Sequence, residues 1–182
     1  TGVRTGALPI SDAEVVVHLY EEEGAELAQR LVGMFAIAVV DFRGKDGPEV
    51  LLIRDRLGIK PLYWAATPEG GLAFASEPKA LLAGGYGARR MRGAALLDYL
   101  VLGWCGGPHS AWEGIERLEA GHRLRWREGS VVSPECWWEP PLEPVEAPES
   151  DGVLLGLLER VVHDRLVADV PLGAFLSGGL DS

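Results

Sequence analysis

The six residues Ser177, Gly178, Gly179, Leu180, Asp181 and Ser182 follow an apolar run from Val170 to Leu176. That run reads as a buried strand. A strand that enters a glycine-rich turn aims several backbone N–H groups into one small concavity. Such a nest holds phosphate, and glycine lets the backbone approach closely. The Ser177 and Ser182 hydroxyls add donors. Asp181 cannot attract phosphate directly; a carboxylate there is read as recruiting Mg²⁺. A helix is expected to start next and point its positive end at the anion. The sequence stops at that point and carries no initiator methionine, so the reading expects a piece of a longer protein.

The net charge is −10. Neither nucleic acid nor an anionic membrane gains from meeting such a surface, so both are excluded as expected partners. A local phosphate site survives the acidic average because it works through oriented N–H groups. Two cysteines, Cys105 and Cys136, are too few for a disulfide framework. With no signal-like start and no apolar run of about 18 residues, the expected compartment is the cytoplasm.

Ser11, Asp12 and Glu14 form a capping-box pattern ahead of Val15, Val16, Leu19 and Tyr20. A helix from about Asp12 to Glu23 follows, with Gly24 placed to end it. Leu27, Ala28 and Leu31 extend it by a turn or two. Met34 to Phe42 reads as a strand apolar on both faces and buried, and Glu49 to Arg54 as the strand that returns. Leu62–Ala66 and Leu72–Ala75 form a hairpin. Glu77–Ala83 and Gly93–Leu102 read as helices, and residues 118–138 as two further strands. Four prolines among acids between Glu139 and Asp151 mark a stiff, solvated linker. Beyond it, Leu154, Leu155, Leu158, Val161, Val162 and Leu166 recur at helical spacing. The expected division is 1–138, a linker at 139–150, and 151–182.

With these segments in order, the chain resembles the glutamine-hydrolysing asparagine synthetases. HDRLVADVPLGAFLSGGLDS is similar to the opening of their ATP-pyrophosphatase domain. SDAEVVVHLYEEEG, LVGMFAIAVVDF, RDRLGIKPLYWA, FASEPKALLA and GIERLEAGHRLRW resemble successive parts of their glutaminase domain. The resemblance implies an α+β N-terminal-nucleophile hydrolase-type sandwich, in part, followed by the start of an α/β ATP-pyrophosphatase domain. It implies that glutamine is hydrolysed to ammonia. Aspartate is activated by ATP and Mg²⁺ as an aspartyl-adenylate, then amidated, with AMP and pyrophosphate released. A β-lactam-forming synthetase, or a plain glutaminase or amidohydrolase, stays open as an alternative, and so does a homodimer. The family nucleophile, an N-terminal cysteine, is not seen in this sequence, so no catalytic residue is assigned and the piece alone is expected to be inactive.

By the same resemblance Asp12 binds the α-ammonium of glutamine, a task suited to a carboxylate. A helix-starting acid worth about 0.3–1 kcal/mol is the plain alternative, and the two roles are compatible. Leu176, Ser177, Gly178, Gly179, Asp181 and Ser182 are carried over as ATP and pyrophosphate contacts, with Asp181 at the metal. Arg54, Asp55, Arg56, Lys60 and Glu77 could shape the glutaminase site or the ammonia path; the preferred reading is a partly buried ion-pair network that fixes the fold. Thr1 is set aside as a nucleophile, since a polar loop follows it. Cys105 with His109 supplies too few ligands for zinc. Cys136, His18, His122 and His163 are taken as structural or surface residues.

Overall fold

The computed structural model describes residues 12–45, 47–127, 129–131, 133–143 and 151–179. It divides into two units, residues 1–140 and 141–182. The capping-box residue Ser11 lies outside the described residues.

In the first unit, α1 runs Asp12–Glu23, as its periodicity requires, and Gly24 turns the chain at φ +59°. A 3₁₀ turn (Gly24–Glu26) leads into the short α2 (Leu27–Arg30). The strands that follow are β1 (Ala36–Asp41), β2 (Glu49–Arg54), β3 (Tyr63–Ala66) and β4 (Leu72–Ala75). The helices α3 (Pro78–Ala83) and α4 (Gly93–Leu102) come next. Four strands close the unit: β5 (Glu116–Arg117), β6 (His122–Arg127), β7 (Ser130–Val131) and β8 (Glu135–Cys136).

All strand pairs are antiparallel. One sheet has the order β1-β2-β6-β7, with β8 also on β6; the other has the order β4-β3-β5. Alternation along β2 assigns its side chains to two different cores. Leu51 and Ile53 meet Leu27 and Ala28, with Leu19, Tyr20 and Phe35 around them. Val50 and Leu52 point the other way, to Leu62, Leu118 and Leu124 beneath Trp64 and Leu72. Outside the second sheet, Leu81 of α3 packs with Ala65 and Ile115. The layers are therefore helix, sheet, sheet, helix. The Trp126 indole N–H ties the sheets together by donating to the Gly70 carbonyl at 2.7 Å.

Three expectations need correction. β1 is not buried on both faces: it ends the β1-β2-β6 path, and Val40 is 44% exposed. The doubly buried strand is β2, which has a neighbour on each side. Among its described residues the segment 118–138 holds three strands, β6, β7 and β8, and the pair Glu116–Arg117 just before it makes β5. Two-residue strands leave no periodicity to read.

The second unit contains α5 (Asp151–His163). Its described side chains are exposed, including Leu154, Leu155 and Leu158. No strand forms over Val170–Leu176, contrary to expectation. A strand apolar on both faces needs hydrogen-bonded neighbours and covering helices. Among the described residues of this unit no strand flanks the segment, and Val170, Leu172, Phe175 and Leu176 are exposed. No helix of the described residues is long and apolar enough to cross a membrane.

Leu52 is fully buried between the sheets. Leu52→Ala is expected to cost about 2–5 kcal/mol, read as a lower urea midpoint; an unchanged midpoint would contradict the two-sheet core. A second expectation concerns acid. The Arg123 guanidinium donates to both Glu135 carboxylate oxygens at 3.0 Å and holds this carboxyl below its ordinary range. Arg90 lowers Glu113 in the same way. A lowered folded pKa stabilises above the unfolded glutamate value, about 4.3. That stability disappears as pH falls through the folded value. Stability should thus drop on acidification, and Glu135→Gln should flatten part of the slope in urea titrations at several pH values.

Candidate functional site

The site grows from the loop RDRLGIKP, residues 54–61, which leaves β2. Asp55 is 1% exposed, and a buried carboxylate must be paired or fully hydrogen-bonded. Its Oδ1 accepts from the backbone N–H groups of Leu57 (3.2 Å) and Ile59 (3.0 Å). Its Oδ2 accepts from those of Lys60 (2.9 Å) and Phe35 (3.2 Å). The Asp55 main chain adds bonds from its own N–H to the Phe35 carbonyl and from the Gly121 N–H to its carbonyl, both 2.9 Å. One residue therefore fixes its own loop, the approach to β1 and the start of β6.

The neighbouring arginines complete the clamp. Arg54 donates Nε to the Lys60 carbonyl, Nη1 to Leu118 and Nη2 to Gly58, at 2.9, 2.6 and 2.6 Å. Burial, then the nearby Arg117 charge, lowers its pKa. Arg56 donates to the Leu31 carbonyl at 2.6 Å and lies 5.1 Å over the Trp137 ring, which stacks on Phe35. The expected ion-pair network is therefore corrected. Arg54, Asp55 and Arg56 bind main-chain groups, and Glu77 pairs instead with Lys79 at 2.5 Å on the surface. The structural role holds; its chemistry is backbone clamping, in which main-chain N–H and C=O groups hydrogen-bond the buried side chains.

The clamped segments enclose an open groove of about 800 Å³. Ala13, Val16 and Val17 of α1 form one wall, and residues 31–35 with β1 form another. Lys60, Pro61 and Ser76 supply its polar end. Asp12 opens α1 one residue before the groove-lining Ala13; its side chain lies outside what the structure describes. Ser76 as a groove residue escaped the sequence reading; Lys60, weighed there as a residue that could shape the site, lines the groove, and the Asp55 bonds to Lys60 and Phe35 tie its loop to the approach of β1.

The second predicted site is described in part. Leu176 is 80% exposed, and Gly178 turns at φ +78°, a conformation natural to glycine. Asp181 and Ser182 lie outside the described residues. Cys105 and His109 do not act together: Cys105 Sγ donates to the Ala95 carbonyl at 3.6 Å, and His109 Nδ1 donates to Glu116 at 2.8 Å. No group of three metal-ligating side chains occurs among the described residues.

The family profile described as glutamine amidotransferase domain matches residues 7–138, the segment that builds both sheets and the groove. The chain belongs to this amidotransferase family. A profile described as asparagine synthase matches residues 154–182. The chain is 37% identical to asparagine synthetase [glutamine-hydrolyzing] 2 of Bacillus subtilis, over 94% of this chain and 24% of that protein. It is 34% identical to asparagine synthetase [glutamine-hydrolyzing] 2 of Arabidopsis thaliana, over 98% of this chain and 25% of that protein. A Zea mays asparagine synthetase [glutamine-hydrolyzing] is 33% identical over 94% and 24%. The chain thus spans about a quarter of the length of the curated relatives it matches.

Gly58 carries φ +65°, and an added Cβ would lie 3.0 Å from Arg54 Cζ and 3.1 Å from Ala120 Cβ. Gly58→Ala in this amidotransferase unit combines left-handed strain of about 1–2 kcal/mol with displacement of the clamped arginine. A thermal midpoint lowered by several degrees is expected; an unaltered midpoint would show that the clamp tolerates movement.

Proposed function

We propose that this chain is part of a glutamine-dependent asparagine synthetase. One observation carries the reading: two family matches, amidotransferase then asparagine synthase, follow each other on one chain, and proteins named asparagine synthetase [glutamine-hydrolyzing] align over 94% and 98% of it. The first unit is the later part of a glutaminase of the N-terminal-nucleophile type, a fold that its helix–sheet–sheet–helix layering supports. In this proposal residues 1–138 belong to the glutaminase, 139–150 link, and 151–182 begin the synthetase domain.

Glutamine occupies the groove beside α1, its α-ammonium bound by Asp12. Charge-assisted hydrogen bonds suit that pairing, and the apolar walls suit the methylene stem. The ammonia released amidates aspartate, which is activated by ATP with Mg²⁺; AMP and pyrophosphate are the other products. Ser177, Gly178, Gly179 and Ser182 cradle the pyrophosphate, Leu176 meets the nucleotide, and Asp181 holds the metal. The positive φ of Gly178 fits a turn whose backbone N–H groups converge on an anion. The setting proposed is cytoplasmic, with homodimers allowed.

The test uses the full-length parent protein. Asp12→Ala should raise the glutamine KM at least tenfold and leave ammonia-driven asparagine synthesis intact. Equal loss with both nitrogen sources would remove Asp12 from the substrate site. ADP, rather than AMP with pyrophosphate, as the nucleotide product would overturn the synthetase reading.

A further inference from the structure

β1 is the outer strand of its sheet, yet its sequence is that of an inner one. Among the described residues it pairs with β2 alone. Ala36, Ile37, Ala38, Val39 and Val40 follow one another with no charge, proline or bulge. Open edges of natural sheets carry such devices, because an unblocked row of N–H and C=O groups pairs with whatever strand it meets. Side chains alternate between the two faces of a strand. Ile37 and Val39 accordingly join the core beneath α1, and Ala36 joins the core on the opposite face.

The groove of the first unit follows this edge. Consecutive residues from Phe35 to Val40 line it without a gap. A groove over one face would be lined by every second residue. Its floor is therefore the edge itself, with the backbone groups that β2 leaves unused. Its walls belong to the layers on either side. Val16 and Val17 overhang from the α1 layer. Lys60 and Pro61, next to the core residue Leu62, and Ser76, next after β4, overhang from the layer of the second sheet. The groove is thus a gap in the sheet layer, open to one further strand about 4.8 Å from β1.

We propose that β1 is the docking edge for an extended segment of the parent polypeptide that precedes Thr1. This rests on the reading of the first unit as the later part of a glutaminase, and it adds the wall that the glutamine groove lacks. The amidotransferase match runs to residue 138 and the synthase match follows it. The chain spans about a quarter of its relatives' length. Within that reading, the strand that completes this layer comes from before Thr1. A second copy does not suit the edge. Its own β1 is recessed beneath the same overhangs, so two copies meet wall against wall, and each carries a net charge of −10. A free extended segment passes between the walls. Main-chain hydrogen bonds supply its affinity, and its apolar side chains enter the two cores in alternation. The polar end of the groove, at Lys60 and Ser76, is left for the substrate.

Amide hydrogen exchange is compared in the 182-residue chain and in the full-length parent. In the chain, only alternate amides of β1, those bonded to β2, should be protected. In the parent, the intervening amides should slow by roughly a hundredfold or more, as in an inner strand. Protection of every β1 amide in the chain alone, as monomer or dimer by light scattering, would overturn the proposal. So would fast intervening amides in the parent. The occupant is identified in the parent by placing photoreactive p-benzoylphenylalanine at the exposed Val40. Mass spectrometry should find an intramolecular crosslink to residues before Thr1. Crosslinks only to the synthetase domain, or to a second copy, would overturn the assignment. The crosslink needs only the folded parent, checked by circular dichroism, so it decides even where the isolated chain does not fold. Neither readout uses glutamine. A parent that docks the strand but hydrolyses no glutamine would refute the glutaminase reading and leave the docked strand standing.

Discussion

The buried carboxylate of Asp55 is the constraint on which the first unit depends. An ionised group taken from water is tolerated only when hydrogen bonds replace its hydration. Four backbone N–H groups do so here, three from its own loop and one from Phe35, twenty residues earlier. The loop is consequently an extension of the sheet. Through it the approach to β1, the Lys60–Pro61 corner and the start of β6 share one anchor. Arg54 adds a complementary device, a guanidinium whose N–H groups cap the carbonyls that the same turn leaves open.

That anchor matters for function because the proposed glutamine groove has little else to define it at this end. Its walls come from segments far apart in sequence: α1, residues 31–40, Lys60–Pro61 and Ser76. A substrate pocket must hold its walls in fixed geometry, since small misplacements are costly for catalysis. β2 supplies the rigid reference, filling one core with Leu51 and Ile53 and another with Val50 and Leu52. Asp55 follows directly on that strand, so the rigidity of the double core passes into the loop.

Much of this was legible in the sequence. The bounds of α1 match the expectation from apolar spacing and the flanking Gly24, and those of α4 match the helix read over Gly93–Leu102. The β3–β4 hairpin was signalled by its Gly-containing turn. Local pattern failed where long-range pairing decides. The apolar residues of β1 looked like those of a central strand, yet only a neighbour on each side makes a strand central. The Val170–Leu176 run looked like a buried strand, but apolar composition alone creates no hydrogen-bonded partner. For Asp55 the sequence reading placed it among charged residues that fix the fold. The bond from Phe35 was not legible, and charge pattern alone read as ion pairing what is backbone clamping.

Amide hydrogen exchange in the native chain tests the anchor most directly. If Asp55 holds the loop to the sheet, the amides of Phe35, Leu57, Ile59 and Lys60 should be protected together, with an opening free energy close to that of the core amides of β2. Exchange at Leu57, Ile59 and Lys60 as fast as in an exposed turn, with β2 still protected, would contradict the account.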